Sequence, residues 1–136
     1  MVKRISKTQY YTNIAREVSK RSPCLKMRVG TILVKNDVII STGYNGPARG
    51  EPHCTTCVRL EKKTGSEYSV CPSVHSEENT IINAARQGIS TIGSTMYLWT
   101  EKPSEPCYRC KRAIKNAGIK EIFVTVSYTH LTLPTN

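Results

Sequence analysis

Apolar side chains in the first third of the chain follow first a helical and then a strand-like spacing. From Thr8 to Lys20 they recur three or four residues apart, which predicts an amphipathic helix that ends at Ser22-Pro23. Val29 to Val34 and Val38 to Tyr44 are rich in β-branched and apolar residues and predict two strands. The turn residues Asn36-Asp37 between them predict an antiparallel hairpin.

The second half of the chain repeats a helix followed by a strand. A helix is predicted to begin at Val74 and to end at Gly88, with Ile81, Ile82 and Ala85 on its inward face. The later predicted elements are a strand at Thr95 to Trp99, a helix at Cys107 to Ala117 and a strand at Glu121 to Val124. Strands that alternate with helices imply right-handed parallel crossovers. The predicted fold class is therefore α/β with a mixed sheet, an antiparallel hairpin followed by parallel strands.

A long segment from Asn45 to Ser73 has no periodicity but contains several soft metal ligands. A loop of this length is usually functional or disordered, and a bound zinc would order it where apolar burial cannot. The predicted ligands of this structural zinc are Cys24, Cys54, Cys57 and Cys71, with His53 as a substitute for any one of them. The alternative is that the four cysteines are free thiols.

Length and charge limit the classes of protein to consider. The 136 residues suffice for one domain with its own core. Twenty Lys and Arg against ten Asp and Glu give a formal charge of +10, which favours an anionic partner such as a nucleotide phosphate or a nucleic acid. A solvated basic surface explains the same charge equally well. No stretch is typical of a signal peptide or approaches the ~20 apolar residues of a membrane span, so we expect a cytoplasmic protein whose six cysteines are metal ligands rather than disulfides.

Two short motifs contain the residues suited to catalysis. His75-Ser76-Glu77 opens one predicted helix, and Pro106-Cys107-Tyr108-Arg109-Cys110 opens the next. His75, Cys107 and Cys110 are three ligands for a tetrahedral zinc and leave a fourth position for water, as in catalytic sites. Glu77 is placed to exchange protons with that water. His75 alone could be a core histidine, and the cysteine pair alone a redox pair or half a structural zinc site. Together they predict a catalytic zinc centre.

The two motifs are expected to meet at one edge of the sheet. Both lie at helix N-termini, and parallel crossovers bring those N-termini side by side. The positive ends of the helices are expected to favour thiolate over thiol at Cys107 and Cys110.

Several sequence elements, taken in their order along the chain, resemble those of deoxycytidylate deaminases. They are Val29-Gly30-Thr31, Gly43-Tyr44-Asn45-Gly46, His75-Ser76-Glu77-Glu78-Asn79, Thr95-Met96-Tyr97 and Ala117-Gly118-Ile119-Lys120. The resemblance implies a three-layer αβα cytidine-deaminase-like fold. It also implies the zinc-dependent hydrolysis of dCMP to dUMP with release of ammonia, which supplies thymidylate synthesis.

The resemblance implies a role for individual residues as well. Asn45 would contact the nucleoside, and Arg21 would reach its phosphate, although a solvated charge at the end of a helix is an equal alternative for Arg21. Glu77 would accept a proton from the zinc-activated water and then protonate the ring nitrogen and the departing ammonia. Some similar deaminases have a second, structural zinc at positions matching Cys24 and Cys54. Enzymes of this type assemble, so a homo-oligomer is expected.

Two features depart from the resemblance. Ser76 stands where alanine is usual, and the segment from Tyr97 to Pro106 is longer than the usual link to the cysteine pair. The alternative functions are a deaminase that acts on a base within a nucleic acid and a non-catalytic zinc-binding accessory protein of the kind encoded in competence operons. The Gly-Tyr-Asn-Gly element disfavours the first, and Glu77 disfavours the second because a structural site needs no base.

The end of the chain does not resemble the family. Val126 to Thr135 is similar to the in-frame translation of a sequencing adapter. We therefore expect a deaminase domain at residues 1–124 that is incomplete at its C-terminus, followed by a non-native tail at residues 125–136. The alternative is a genuine final strand, with the alternating residues His130, Leu131, Thr132 and Leu133.

Overall fold

A mixed β-sheet lies between helices on its two faces. The computed structural model describes residues 1–60 and 70–125 and the backbone of residues 129–132. The helices are α1 (Lys7–Ser19), α2 (Ser76–Arg86) and α3 (Tyr108–Asn116). The strands are β1 (Val29–Lys35), β2 (Val38–Tyr44), β3 (Gly46–Pro47), β4 (Ser73–Val74), β5 (Thr95–Thr100), β6 (Glu121–Val124) and β7 (Thr129–Thr132).

The main sheet has the strand order β2-β1-β5-β6-β7. Strand β1 pairs antiparallel with both β2 and β5, whereas β5 and β6 are parallel. The predicted hairpin and mixed sheet are therefore confirmed. Strands β2 and β5 run in the same direction, as the crossover through α2 requires, but β1 lies between them.

Each face of the sheet has its own apolar core because side chains alternate along a strand. On one face, α1 contributes Tyr11 and Ala15, which pack against Ile32, Val34 and Tyr97. The opposite face packs against α2 and α3, and its core consists of Val29, Leu33, Met96, Leu98, Cys110, Ile114, Ile119, Ile122 and Val124. This second face is the one that positions both predicted motifs.

Two glycines let the helices lie unusually close to the sheet. A Cβ atom on Gly30 would lie 2.1 Å from the carbonyl oxygen of Ala15, so α1 sits directly on the backbone of β1. On the other face, a Cβ atom on Gly43 would lie 2.4 Å from Thr80 Oγ1 and 2.6 Å from its backbone nitrogen. Gly43 thereby sets the distance between α2 and β2.

The start and the inward face of α2 differ from the prediction. The helix begins at Ser76, and Val74 belongs to β4, which pairs with β3 at Gly46. This short ladder joins the two ends of the long segment that was predicted to lack regular structure. Ile82 is 44% exposed, and Ala85 is exposed as well. The buried face instead carries Thr80 and Ala84, because it is set by contact with Gly43 rather than by apolarity alone.

The C-terminal strand β7 pairs antiparallel with β6. A strand can form from a native or a non-native sequence, so the expected boundary between a domain at 1–124 and a tail at 125–136 stays a prediction. Residues 126–128 and 133–136 lie outside the described residues. Within the described part of the chain, no helix is both long and apolar enough to cross a bilayer.

Candidate metal centre and active-site cavity

His75 and Cys107 meet because each caps the N-terminus of a helix on the same face of the sheet. His75 is the N-cap of α2, and Cys107 is the N-cap of α3. An ion pair joins the two helix starts, with Arg109 Nη2 3.0 Å from Glu78 Oε1. The same carboxylate oxygen accepts a hydrogen bond from the backbone N–H of His75 at 3.3 Å.

The three predicted zinc ligands converge on one point. His75 Nδ1 lies 3.3 Å from Cys110 Sγ and 3.5 Å from Cys107 Sγ, and the three ligand atoms all lie within 4.8 Å of one another. Ligand atoms of a tetrahedral zinc with ordinary bond lengths lie about 3.5 to 3.8 Å apart. The spacing and the chemistry of the donors fit zinc, so His75, Cys107 and Cys110 could hold one zinc ion.

Burial controls the protonation of these ligands. It lowers the pKa of His75, which holds the imidazole in the neutral form that binds metals. It raises the pKa of the Cys110 thiol well above its ordinary value, and the nearby Glu77 carboxylate raises it further. The expectation that the helix end favours a thiolate concerns the metal-bound site and stays a prediction, since burial favours the protonated Cys110 thiol while no cation is bound. A divalent cation reverses this balance because it deprotonates a coordinating thiol.

Glu77 lies next to the three ligands and is only 6% exposed. Its Oε1 atom accepts a hydrogen bond of 2.7 Å from the hydroxyl of Ser76, which in turn lies 2.8 Å from Thr31 Oγ1. Glu77 also lines the cavity beside the ligand cluster. The predicted proton-transfer residue and the predicted metal ligands are thus brought together.

A cavity opens from the ligand cluster to the solvent. Besides His75, Glu77 and Cys107, its lining comprises Cys24, Lys26, Met27, Val29, Asn45, Arg59, Cys71, Ser73, Ser76, Leu98, Thr100, Ser104 and Glu105. Ser104 and Glu105 belong to the long segment before the cysteine pair, which therefore forms part of the wall.

Arg59 is a residue of the cavity that the sequence did not identify. Its side chain is 7% exposed, and its positive charge acts to lower the pKa of His75. Arg59 lies in the aperiodic segment, where no spacing indicates which charged side chains turn inward. The available signal was an arginine close to Cys54 and Cys57, within a segment already predicted to be functional.

Asn45 lines the cavity as predicted for a substrate contact, but most of its amide is engaged within the protein. Its Oδ1 atom accepts hydrogen bonds from the backbone N–H of Val29 at 2.9 Å and from Ser22 Oγ at 2.6 Å. Its Nδ2 atom donates to the carbonyl of Met27 at 2.8 Å. Asn45 therefore holds the wall formed by residues 22–29, and its second amide hydrogen is the one left for a ligand.

The other predicted site residues are not members of the ligand cluster, although Cys24 and Cys71 also line its cavity. Arg21 is exposed after α1 and is not part of the cavity lining. The half-buried residues Cys24, Cys54, Cys57 and Cys71 line a second cavity. Among the described residues, His75, Cys107 and Cys110 form the only group of three or more such ligands with these atoms within 4.8 Å of one another. His53 is exposed and lines neither cavity.

Comparison with known proteins identifies the family. The profile described as "Cytidine and deoxycytidylate deaminase zinc-binding region" matches residues 5–126. The chain belongs to this zinc-binding deaminase family. It is 36% identical over 123 residues to the deoxycytidylate deaminase of Schizosaccharomyces pombe, across 88% of this chain and 37% of that protein. It is 34% identical over 123 residues to the deoxycytidylate deaminase of Mycobacterium phage D29, across 84% of this chain and 90% of that protein.

Two further comparisons concern function and fold. This deaminase-family chain is 30% identical over 132 residues to ComE operon protein 2 of Bacillus subtilis, across 95% of this chain and 65% of that protein. The solved structure of the dCMP deaminase from the cyanophage S-TIM5, in complex with dCMP and dUMP, superimposes with a TM-score of 0.71 at 26% identity. That match covers 89% of this chain and 83% of the phage chain. The α/β cytidine-deaminase-like fold is therefore confirmed.

Proposed function

We propose that this protein hydrolyses dCMP to dUMP and releases ammonia, a reaction that supplies thymidylate synthesis. The observation that carries the proposal is the placement of Glu77, buried at the cavity wall beside His75, Cys107 and Cys110. A purely structural metal site has no use for a buried carboxylate that faces a cavity. The dCMP deaminases among its relatives support the choice of substrate.

The proposed roles follow from the positions of the side chains. His75, Cys107 and Cys110 would hold zinc, which supplies an activated water when it is bound. Glu77 accepts a proton from the attacking water and transfers it to ring nitrogen N3 of the cytosine. It then delivers the second water proton to the amino group that leaves C4 as ammonia. The second amide hydrogen of Asn45 would contact the nucleoside.

The phosphate of dCMP needs a cationic partner, and two of the cationic side chains that the structure describes line the cavity. They are Lys26 and the buried Arg59. The guanidinium of Arg59 offers five donors in a planar fork, a geometry suited to phosphate oxygens. We therefore assign the phosphate to Arg59 with Lys26. The prediction for Arg21 is the rival assignment, and the two are separated by the substitutions described in the Discussion.

One experiment tests the reaction. Zinc-loaded protein is incubated with dCMP, dCTP and cytidine, and ammonia and the deaminated products are measured. We expect conversion of dCMP, and we expect Glu77→Gln to lower kcat by about 10²- to 10⁴-fold because it removes the proton-transfer group but keeps the shape. Glu17→Gln, at an exposed carboxylate on α1, is the matched control. If zinc-loaded protein releases no ammonia from any of the three, the proposal is wrong.

The two alternatives predict different results in the same assay. The similarity to ComE operon protein 2 favours an accessory zinc protein as the second candidate. Such a protein would bind one equivalent of zinc without deaminating any nucleotide. A nucleic-acid deaminase, the third candidate, would convert cytosine in a single-stranded polynucleotide and leave free dCMP unchanged.

A second zinc and a homo-oligomer belong to the same proposal. The thiols of Cys24, Cys54, Cys57 and Cys71 surround one cavity, and a structural zinc there would require them to draw closer together. Elemental analysis is expected to give two zinc ions per chain, and one after Cys54→Ser. One zinc per chain in both proteins would refute the second site.

Light scattering in solution measures whether the protein is the expected homo-oligomer. The cytoplasmic location stays a prediction.

A further inference from the structure

We infer that Ser76 and Thr31 form a positioning relay that holds the Glu77 carboxylate against the cavity. The inference rests on the proposed function, because it concerns the residue assigned to proton transfer. Ser76 and Thr31 are both fully buried, with 0% exposure, and Glu77 is 6% exposed. The three side chains are linked in series, at 2.8 Å from Thr31 Oγ1 to Ser76 Oγ and at 2.7 Å from Ser76 Oγ to Glu77 Oε1.

The direction of the relay follows from the number of protons available. The hydroxyl of Ser76 has one hydrogen, which it donates to Glu77 Oε1. Ser76 Oγ must therefore accept from Thr31, so that Thr31 donates to Ser76 and Ser76 donates to Glu77. Hydrogen bonds that run in one direction polarise and strengthen one another at a site with little water.

The origin of the relay is a rigid part of the fold. Thr31 lies in β1, which is paired on both sides, and stands opposite Gly43 of β2 and Leu98 of β5. Of the hydrogen bonds formed by the described residues, the one from Ser76 is the only one that reaches the Glu77 side chain. Among the described residues, one hydrogen bond, from Ser76, therefore links the carboxylate to β1.

The neighbouring Glu78 has different hydrogen-bond partners. A carboxylate in the first turn of a helix is attracted to the free backbone N–H groups there. Glu78 follows this preference, because its Oε1 atom accepts from the backbone N–H of His75 and from Arg109. Glu77 instead accepts the bond from Ser76 and lies at the wall of the cavity.

Kinetics on zinc-loaded protein test the inference with four substitutions. Ser76→Ala is expected to lower kcat for dCMP about tenfold with KM unchanged, the rate equivalent of one hydrogen bond to a charged group. Thr31→Val keeps the shape of the side chain and is expected to lower kcat about threefold, whereas Thr31→Ser recovers most of that loss. Ser41→Ala removes another buried serine hydroxyl that makes a 2.7 Å bond, to the carbonyl of Thr80, and serves as the matched control.

Two results would overturn the relay. One is a wild-type kcat in Ser76→Ala, and the other is an equal loss of kcat in Ser41→Ala, which would indicate a general effect of deleting a buried hydroxyl. Zinc content and the thermal midpoint are measured for each variant, so that metal loss and unfolding are recognised.

Crystal structures of the zinc-loaded wild type and of Ser76→Ala provide a readout that does not depend on activity. The relay predicts one ordered Glu77 carboxylate beside Ser76 in the wild type, and a displaced or multiply oriented carboxylate in the variant. An identical carboxylate position in both refutes the relay. If the wild type deaminates nothing, the proposed function fails, while the two structures still decide the relay.

Discussion

Adjacent residues of the same type have different roles in this protein because their hydrogen-bond partners differ. Glu77 and Glu78 both lie in the first turn of α2. Ser76 holds Glu77 at the cavity, whereas Glu78 joins the starts of α2 and α3 through Arg109. The sequence identified Glu77 by its distance from His75 in the motif. The partner of Glu77 is the adjacent Ser76, which Thr31 of β1 contacts in turn, whereas Glu78 is bound by Arg109 of α3.

A hydrogen bond between Tyr11 and Asp37 predicts a pH-dependent stability. Tyr11 Oη donates to Asp37 Oδ1 at 2.6 Å, which raises the pKa of Tyr11 to about 12 and lowers the pKa of Asp37. Because the pKa of Tyr11 is raised in the folded state, its contact stabilises the fold fully at pH values below the ordinary tyrosine pKa of 10.0. This stabilisation is lost as the pH rises toward about 12. Because the pKa of Asp37 is lowered in the folded state, the contact also stabilises the fold at pH values above the ordinary aspartate pKa of 3.8. This contribution is lost as the pH falls below that value.

Replacing Tyr11 by phenylalanine tests this contact. Tyr11→Phe is expected to lower the free energy of unfolding by about 1 kcal/mol near neutral pH. It should also remove the part of the alkaline loss that belongs to Tyr11. Urea unfolding at a series of pH values measures both effects, with the half-exposed Tyr10 changed to phenylalanine as the control. An unchanged alkaline loss in Tyr11→Phe would contradict the assignment.

Arg59 and Arg21 offer a direct comparison of two assignments for the phosphate. Arg59 is buried at the cavity wall, and Arg21 is exposed outside it. We expect Arg59→Met to raise KM for dCMP about tenfold or more, because a charge-assisted hydrogen bond is lost, and to leave KM for deoxycytidine unchanged. Arg21→Met serves as the matched substitution. If only Arg21→Met raises KM for dCMP, the contact to the phosphate belongs to Arg21 and not to Arg59.

At the scale of the elements, the approach of a helix to the sheet decides where the site residues lie. The backbone of α1 rests on Gly30, and that of α2 rests on Gly43. The contact at Gly43 sets the orientation of α2 and therefore the direction in which Glu77 and Thr80 point. A shift of α2 by one residue would turn Glu77 away from the cavity, since the buried face of a helix is narrow.

A substitution at Gly30 measures how strictly this distance is required. Gly30→Ala is expected to destabilise the fold by more than about 3 kcal/mol, because the added Cβ would lie 2.1 Å from Ala15 O and 2.5 Å from Ser19 N, both backbone atoms. Gly88→Ala is the control, since Gly88 has a φ of 68° but open space around it. Gly88→Ala should lower the free energy of unfolding by about 1 to 2 kcal/mol, because alanine is strained at this positive φ. Equal costs in urea unfolding would show that α1 can move away.

The elements themselves were largely readable from the pattern of apolar positions. The predicted limits of α1, β1, β5 and α3 differ by one residue from those observed, and those of β2 and β6 agree. The predicted start of α2 was wrong because Val74 pairs with Gly46 in the β3-β4 ladder and is not part of the helix. Ile82 was assigned to the wrong face because the packing of α2 depends on Gly43, a contact that periodicity does not contain.

At the scale of the whole molecule, a zinc ion would connect two helices that are distant in sequence. His75 lies on α2, and Cys107 and Cys110 lie on α3, so the metal would close a loop of more than thirty residues. Removal of the metal with a chelator is expected to lower the thermal midpoint by roughly 10 °C, the effect of a ligand present at about a hundred times its dissociation constant. Differential scanning calorimetry measures this shift.

The control for metal removal is a variant that has lost a ligand. Cys110→Ser is expected to show a low midpoint that does not respond to the chelator. A chelator shift of the same size in Cys110→Ser and in the wild type would place the stabilising metal elsewhere, for example at Cys24, Cys54, Cys57 and Cys71.

The sequence by itself predicted most of the elements, three residues that could hold one zinc ion, and the carboxylate beside them. These inferences depend on periodicity and on short spacings, and both are local properties of the chain. The tertiary structure decided which other side chains share the cavity, including the buried Arg59, and how Ser76 and Thr31 reach Glu77. Those contacts join residues up to 45 positions apart, so they exist only after the sheet and the helices have packed. A local sequence pattern cannot indicate contacts between residues so far apart along the chain.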